Sequence, residues 1–270
     1  KSGGLNEYGL AAYKMVGDYA QQEVEEILSI GGISVKHGVK VGEDITLAEL
    51  QTNYDAVFMG VGLGTSKTMQ LDGEQSAGAI NAVEYIHQLR QAEDLGQLPV
   101  GRNVVVIGGG MTAIDIAIQI KRLGAANVTM AYRRGKEHMN ASLEEQEFAL
   151  NEGVHIAHWA QPVSLKVDQG SITGVEFKTT NIEGSDTYIT PADMLFKAIG
   201  QGLAPISMGT TEFVKSYGKY EVDSELRTSQ AGMWAGGDCV AGNDGLAVSA
   251  VQDGKLAALS IHNTLTQSQA

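Results

Sequence analysis

Residues 108–113 constrain the fold more than any other stretch of this chain. They read Gly-Gly-Gly-Met-Thr-Ala, a GxGxxA pattern, and lie between the apolar run 104–107 and the amphipathic run 114–123. Glycines placed between a strand and a helix in this way predict a parallel α/β unit with a dinucleotide site. The first glycine permits the tight turn, the third lets the backbone approach a pyrophosphate, and the alanine lets the helix pack closely on the strand. The N–H groups at the start of the helix then face the phosphate charges.

The predicted second strand, residues 128–132, ends at a pair of arginines. Arg133 and Arg134 stand where a site for NAD usually has Asp or Glu, and the next carboxylate is Glu137. A guanidinium suits the 2′-phosphate of NADPH, because arginine binds phosphate in a bidentate manner. The pair therefore favours NADPH, while NADH binding and a purely solvated basic pair stay open as alternatives.

The composition is that of an acidic globular chain. Of its 270 residues, 43% are hydrophobic, and the formal net charge is −13. The negative charge argues against nucleic acid and anionic membranes as partners, and no apolar run reaches the length of a membrane span. The sequence shows no signal-peptide pattern, so we expect a cytoplasmic protein.

A single cysteine, Cys239, limits the redox and metal chemistry of the chain. It excludes an intrachain disulfide, and it excludes a complete iron–sulfur or cysteine-rich zinc site within these residues. His155 and His158 lie three residues apart on a predicted strand, which places them on opposite faces. We therefore expect no metal site.

Periodicity and turn residues predict an alternation of strands and helices. Helices are expected at 18–30, 46–51, 81–89, 142–151 and 246–265; strands are expected at 33–35, 39–41, 56–59, 104–107, 128–132, 154–158, 165–167, 175–178, 194–198 and 233–235. Three of the strands end in glycine, at Gly60, Gly200 and Gly236, and the GxGxxA motif lies between the first two. This order predicts that a domain 79–200 is inserted into an outer domain formed by 1–78 and 201–270.

A second group of residues follows the strand 233–235. Gly236, Gly237 and Asp238 come directly after it, and residues 246–248 open the last helix. A carboxylate at a strand end can accept hydrogen bonds from a polyol, and the start of a helix favours the electron-rich edge of a ring. A Gly-Asp turn with a purely structural role is the alternative. Beside the nucleotide motif, the group favours flavin.

The order of four short motifs resembles the two-dinucleotide flavoprotein family. These motifs are Gly-Val-Gly at 60–62, the GxGxxA pattern at 108–113, Ala-Ile-Gly-Gln at 198–201 and Ala-Gly-Gly-Asp at 235–238. Tyr-Arg-Arg at 132–134 with Met-Asn-Ala at 139–141 is similar to the "YRR…MPA" pattern of the glutamate synthase small-subunit branch. That branch includes the electron-input module of dihydropyrimidine dehydrogenase.

Further segments narrow the resemblance. Residues 3–10 resemble a "GGL..YGI" segment beside the flavin, and residues 41–47 match a "VGKDIT" stretch. Asn140, where relatives have proline, together with residues 6–9 and 110–115, is most similar to the bacterial NAD-dependent dihydropyrimidine dehydrogenase subunits. The resemblance covers essentially the whole chain and implies an α/β fold of two Rossmann-like domains, with the NAD(P)H domain inserted in the FAD domain.

The resemblance also implies the chemistry. NADPH or NADH would reduce FAD, and electrons would pass through 4Fe-4S clusters to a partner subunit of a hetero-oligomer, most simply for uracil or thymine reduction. The glutamate synthase small subunit is the alternative. The first GxGxxG of the family and its cluster-ligating cysteines have no counterpart in this sequence. We therefore expect a truncated FAD domain, clusters outside these residues, and, as a third reading, a nucleotide-binding fragment without activity of its own.

The motifs and the resemblance together predict two sets of binding residues and no catalytic side chain. The set for NAD(P)H is Gly108, Gly109, Gly110, Met111, Thr112, Ala113, Tyr132, Arg133, Arg134, Gly200 and Gln201. The set for FAD is Gly4, Leu5, Val41, Gly60, Gly62, Gly237, Asp238, Leu246, Ala247 and Val248. Disulfide reductases share this fold but need a redox cysteine pair, which the thioredoxin reductase branch carries in its inserted domain. The inserted domain predicted here has no cysteine, which argues against the thioredoxin reductase branch.

Overall fold

The computed structural model of the protein describes residues 1–206 and 212–267. The helices are α1 (Gly4–Tyr8), α2 (Tyr19–Ser29), α3 (Leu47–Asn53), α4 (Ala82–Gln91), α5 (Met111–Arg122), α6 (Leu143–Asn151) and α7 (Ala247–Gln267). The strands are β1 (Val57–Met59), β2 (Thr65–Ser66), β3 (Ala79–Asn81), β4 (Asn103–Ile107), β5 (Asn127–Tyr132), β6 (His155–His158), β7 (Ala160–Asp168), β8 (Ser171–Thr179), β9 (Thr187–Pro191), β10 (Met194–Lys197), β11 (Gln201–Gly202), β12 (Lys215–Ser216), β13 (Lys219–Tyr220) and β14 (Met233–Ala235). Short 3₁₀ helices cover Leu95–Gln97, Lys136–His138 and Gly237–Cys239.

The chain divides into two compact units. The first consists of Lys1–Gly31 and Ser66–Gly200, and the second of Gly32–Thr65 and Gln201–Ala270. These bounds differ from the predicted domains at 1–31 and at 66–78, which the structure groups with the glycine motif. Which cofactor each part of the chain binds stays a prediction.

The first unit is built on a parallel sheet with both faces covered. Its strand order is β3-β10-β4-β5-β6. The apolar run of β4 alternates between the two faces: Val104 and Val106 pack with α4, α5 and α6, whereas Val105 and Ile107 pack with β7 and β8 of the antiparallel sheet β7-β8-β9. A strand buried on both faces has a continuous apolar sequence, which explains the run at 104–107.

Residues 1–31 belong to the first unit because they supply partners for polar groups on α5. Residues 113–120 of this helix are all buried, including Asp115 and Gln119. The Tyr13 hydroxyl donates to Asp115 at 2.9 Å, and the Lys14 ammonium lies 2.7 Å from the same carboxylate. The Gln119 side-chain oxygen accepts the N–H of Ala12 at 3.0 Å. Burial still leaves the pKa of Asp115 above its usual value.

The same segment is held at Glu7, whose side chain is 6% exposed. Gln21 and Gln91 donate to it at 2.9 Å each, and the Lys1 ammonium lies 3.1 Å away. Burial alone would raise the pKa of Glu7, but these donors outweigh it and lower the pKa to about 2. The Arg90 guanidinium of α4 also donates to main-chain carbonyls of this segment, among them that of Glu7 at 3.1 Å.

The second unit contains the parallel pair β1–β14 and the hairpin β12–β13. A capping box between Thr46 and Glu49 starts α3. The strands predicted at 33–35 and 39–41 are wrong: within the described part of the chain these residues pair with no strand, and Val41 makes an isolated bridge with Ile45. The side chains of Ile33, Val35 and Val39 are exposed. Their β-branched sequence fits a strand locally, but it finds no neighbour with which to form a ladder.

The other predicted helices and strands are confirmed, with ends shifted by a few residues. Ser142 is the N-cap of α6, and its hydroxyl accepts the N–H of Glu145 at 3.2 Å. The strands β7 and β8 pair in the antiparallel direction, and β9 extends that sheet.

Candidate nucleotide-binding site

The turn from β4 to α5 needs its first two glycines for packing reasons. Gly108 has φ +152°, and a Cβ there would lie 2.3 Å from the carbonyl oxygen of Ala198. A Cβ on Gly109 would lie 2.4 Å from the ring of Tyr132. Neither position accepts a side chain without moving a neighbour, so these glycines let the turn pass close to both adjacent strand ends.

Gly110 differs from its two neighbours. A Cβ built on it meets no described atom within 4 Å, and its φ of −103° suits any residue. It is the N-cap of α5, with no side chain capping the helix. The first N–H groups of a helix lack intrahelical acceptors and carry the positive end of its dipole. No described atom lies within 4 Å of a Cβ built on Gly110, and a diphosphate in that space stays a prediction of the motif.

The two arginines after β5 are exposed, and their charges are available. Among residues 1–206 and 212–267, neither Arg133 nor Arg134 pairs with a carboxylate. The guanidinium carbon of Arg134 lies 5.5 Å from the centroid of the Tyr132 ring. That tyrosine is 9% exposed, and its hydroxyl donates to the carbonyl of His138. The strand end thus presents two guanidinium groups that pair with no carboxylate among the described residues, and that of Arg134 lies near a tyrosine ring that is fixed in place.

The end of β10 lies beside the glycine turn, because β10 pairs with β4. The N–H of Ala198 donates to the carbonyl of Ile107 at 2.8 Å. Gly200 is exposed, with φ +103°, and accepts the N–H of Lys67 at 3.0 Å. It is the last residue of the first unit, and Gln201 is the first residue of the second.

Three neighbouring strands of the sheet therefore end together. The glycine turn after β4 has the arginine pair after β5 on one side and Gly200 after β10 on the other. Ligands of open α/β sheets bind outside the carboxyl ends of the strands. The structure brings together every predicted NAD(P)H residue of the first unit, namely Gly108, Gly109, Gly110, Met111, Thr112, Ala113, Tyr132, Arg133, Arg134 and Gly200.

The residues predicted for FAD are divided between the units. Gly4 and Leu5 begin α1 in the first unit. The remaining residues lie in the second unit, and they are Val41, Gly60, Gly62, Gly237, Asp238, Leu246, Ala247 and Val248. Val41 lines a cleft of about 610 Å³ that is bounded by residues 39–43, Val61 and residues 204–206.

The Gly-Asp turn and the start of α7 differ in whether their polar groups already have hydrogen-bond partners. Asp238 is half-buried, and within the described residues its carboxylate has no hydrogen-bond partner. The N–H of Leu246, by contrast, donates to the carboxylate of Asp244 at 3.1 Å, and α7 begins one residue later. Asp238 therefore has free acceptors for a hydroxyl-rich ligand, whereas the Leu246 N–H already has an acceptor.

Two residues that contact the arginine pair could not be predicted from the sequence. Trp159 and Thr180 hydrogen-bond to the main chain of Arg133 and Arg134. A buried ion pair was missed too: the Lys197 ammonium lies 3.1 Å from the Glu74 carboxylate. Burial opposes the charge of Glu74, but the N–H groups of Met69 and Gln70 and the lysine keep its pKa below the usual value. Local sequence gives no signal for contacts over such distances along the chain.

The structure brings together no metal site in the part of the chain it describes, since no cluster of three or more His, Cys, Asp or Glu residues occurs there. His155 is exposed on β6, and burial lowers the pKa of His158. Over the same residues, no helix has the length and apolar content that crossing a membrane requires.

The described chain has an α/β fold, and the strands of its parallel sheet end in a glycine turn and an arginine pair. Residues 7–254 match the model of the pyridine nucleotide-disulphide oxidoreductase family, and the chain belongs to that family. The α/β fold with a parallel sheet, expected from the sequence, is confirmed. The thioredoxin reductase of T. acidophilum has a similar structure, with a TM-score of 0.77 at 22% identity, covering 98% of this chain and 88% of that one.

Curated relatives resemble nearly the whole chain. The oxidoreductase AegA of Escherichia coli is 35% identical over 96% of this chain and 43% of its own length. The glutamate synthase [NADPH] small chain of Escherichia coli is 33% identical, with 97% and 61% covered. The NAD-dependent dihydropyrimidine dehydrogenase subunit PreT of Salmonella typhimurium is 30% identical, with 98% and 60% covered. The predicted resemblance is confirmed, and the chain spans between 43% and 61% of the length of these relatives.

The family description includes disulphide oxidoreductases, so the environment of Cys239 matters. It is the only cysteine of the sequence, it is buried, and its thiol contacts the carbonyls of Met59 and Gly236 at 3.4 and 3.1 Å. Burial raises the pKa of this thiol. A redox pair within these residues is therefore excluded, and the likeness to thioredoxin reductase is one of fold.

Proposed function

We propose that the first unit binds a nicotinamide dinucleotide at the carboxyl ends of β10, β4 and β5, with NADPH preferred. One observation carries the proposal: the open space at Gly110 and two guanidinium groups without acidic partners in the described structure follow the ends of the neighbouring strands β4 and β5. The helix start would hold the pyrophosphate, and Arg133 or Arg134 would hold the 2′-phosphate. Gly200, and Gln201 after it, would border the nicotinamide.

We further propose that the chain is part of an electron-transfer subunit that uses FAD. The flavin would accept the hydride and pass on electrons, and 4Fe-4S clusters elsewhere in the whole protein would carry them to a partner subunit. In the second unit, Asp238 offers carboxylate oxygens without a partner among the described residues, and the cleft of about 610 Å³ at Val41 offers room for a ligand. The relatives named as subunits or small chains support a hetero-oligomer.

Two final reactions are candidates. Dihydropyrimidine dehydrogenase is supported by PreT and by the Met-Asn-Ala motif at 139–141, and glutamate synthase by the small chain of 33% identity. The printed names differ in coenzyme: the first is NAD-dependent, whereas the second uses NADPH. The unpaired arginines favour NADPH. A fragment that binds nucleotide without activity is the third candidate, and it would purify without the yellow colour of flavin.

Calorimetric titration with NADPH and, separately, with NADH tests the coenzyme site. Arg133→Ala is expected to weaken NADPH binding by about tenfold or more and to leave NADH binding nearly unchanged, because only NADPH carries the 2′-phosphate. Arg102→Ala is the matched control, since Arg102 is an exposed arginine before β4, at the opposite edge of the sheet. Equal losses for both coenzymes in Arg133→Ala would show that this arginine does not bind the 2′-phosphate.

A further inference from the structure

The main chain of the arginine pair is fixed by two residues far away in sequence. The Thr180 hydroxyl donates to the carbonyl of Arg133 at 2.7 Å. The N–H of Trp159 donates to the carbonyl of Arg134 at 3.2 Å. Trp159 is the single residue between β6 of the parallel sheet and β7 of the antiparallel sheet, and Thr180 directly follows β8 of the antiparallel sheet. Consecutive carbonyls are thus held while both guanidinium groups stay free.

These two residues also fix each other. The N–H of Thr180 donates to the carbonyl of Trp159 at 2.9 Å, and its hydroxyl lies 3.3 Å from the same oxygen. Trp159 has φ +60°, a left-handed conformation that is unfavourable for a bulky residue. Such strain persists where the surrounding contacts over-determine the backbone, and it concentrates at functional sites. The conformation of Trp159 is therefore set by its contacts rather than by its own preference.

The indole completes the support. A Cβ on Gly135, the residue after the pair, would lie 2.6 Å from Cζ2 of Trp159 and 2.4 Å from the carboxylate of Glu137. Gly135 is buried, and it starts the 3₁₀ turn whose residue His138 accepts the Tyr132 hydroxyl. The loop 133–138 is thus packed at its centre by the indole and tied at its end by the tyrosine.

We propose that Trp159 and Thr180 are positioning residues that set the preference for NADPH over NADH. The inference rests on the proposed function of Arg133 and Arg134. Two long side chains bind one phosphate well only if the backbone that carries them is already ordered, because ordering it on binding costs conformational entropy. NADH has no 2′-phosphate, so its binding depends little on whether the backbone of the two arginines is ordered. Loosening the loop lowers the affinity for NADPH selectively.

Thr180 provides the sharpest test, because it is exposed and close in shape to valine. Thr180→Val removes the hydroxyl that holds Arg133 and is expected to weaken NADPH binding by about threefold to tenfold, with NADH changed less than twofold. Thr180→Ser keeps a hydroxyl and is expected to restore NADPH binding to within about twofold. Trp159→Gly accepts the left-handed backbone but removes the indole, and is expected to lose at least as much NADPH affinity as Thr180→Val.

All variants are titrated with both coenzymes, and their thermal midpoints are recorded to confirm folding. Parallel losses of NADPH and NADH, an unchanged NADPH affinity in Thr180→Val, or a serine variant that behaves like valine would each overturn the positioning role. Arg133→Ala in the same series separates the two proposals. If it leaves the ratio of NADPH to NADH affinity unchanged, the phosphate site itself fails; if it lowers the ratio while Thr180→Val does not, only the positioning role fails.

Discussion

The two units show the same local motif, a strand that ends in glycine, in different surroundings. In the first unit β4 lies between β10 and β5 and is covered on both faces. In the second unit β1 pairs with β14 in a ladder of two strands. Of the largest fully buried side chains, Tyr220 and Met233 belong to the second unit, and the rest belong to the first: Tyr85, Phe177, Phe196, Ile86, Ile114, Ile116, Ile118, Ile120, Met130 and Leu195.

The helices show the same difference. Residues 113–120 of α5 are all buried, whereas in the described part of α7 the buried residues are Ala257 and Ser260. Val248 and Val251 of α7 are 73% and 72% exposed. A layer that covers each face of a sheet is what gives an α/β unit its core. Glycine at a strand end therefore marks where a ligand can approach, but it does not show how well the strand is supported.

The largest effect is expected within the glycine turn of the first unit. Gly108→Ala places a Cβ against the Ala198 carbonyl at a φ of +152°, so we expect it to lower the unfolding free energy of this unit by about 3 kcal/mol. The Cβ of Gly110→Ala would lie in open space. We expect this variant to change the unfolding free energy by less than about 1 kcal/mol and to weaken NADPH binding. Thermal unfolding and calorimetry on the pair separate folding from binding. Equal destabilisation by both would show that the turn is not packed as described.

A pH-dependent effect of intermediate size tests whether residues 1–31 stabilise the first unit. The pKa of Glu7 is lowered to about 2, so its ionised form stabilises the folded state above pH 4.5, and this contribution is lost as the pH falls from about 4.5 towards 2. Glu7→Gln is expected to be less stable than the wild type at pH 7, with the gap closing below pH 4.5.

Thermal midpoints measured between pH 7 and pH 3.5 check this, with Glu147→Gln on α6 as the control for an exposed carboxylate. A gap that stays constant with pH would mean that the charge of Glu7 does not hold the segment in place.

The smallest effect is expected on α7. Val251→Ala removes two methyl groups that are 72% exposed, so we expect a change within about 0.5 kcal/mol. Ile116→Val on α5 removes one methyl group from a fully buried side chain and is expected to cost about 1 kcal/mol. Chemical denaturation of both variants gives the comparison. A larger loss for Val251→Ala would show that this face of α7 is covered in solution.

Much of the fold could be predicted because its signals are local. The strand, glycine turn and helix at 104–123 follow one another in sequence, and the arginine pair follows the next strand directly. Parallel order then places these ends at one edge of a sheet. The wrong strands at 33–35 and 39–41 show the limit: β-branched residues favour a strand, but only a partner strand forms one.

The remaining contacts of the site are not local, and the sequence alone does not predict them. Nothing in the sequence around Trp159 indicates that its backbone is left-handed. Thr180 lies 47 residues from Arg133, whose carbonyl it binds. Asp115 and Gln119 are spaced as polar residues on a water-facing helix would be, so nothing in the motif indicates that residues 12–14 cover them.

The burial of α5 on all sides has a consequence for how this sequence can change. A surface helix accepts substitutions with a rhythm of about 3.6 residues, because one face is free. This helix has no free face over residues 113–120, and its polar positions depend on a segment that lies 102 residues away at Tyr13. We therefore expect substitutions at positions 115 and 119 to be tolerated only together with matching substitutions at positions 12–14, because each polar group has its partner in the other segment.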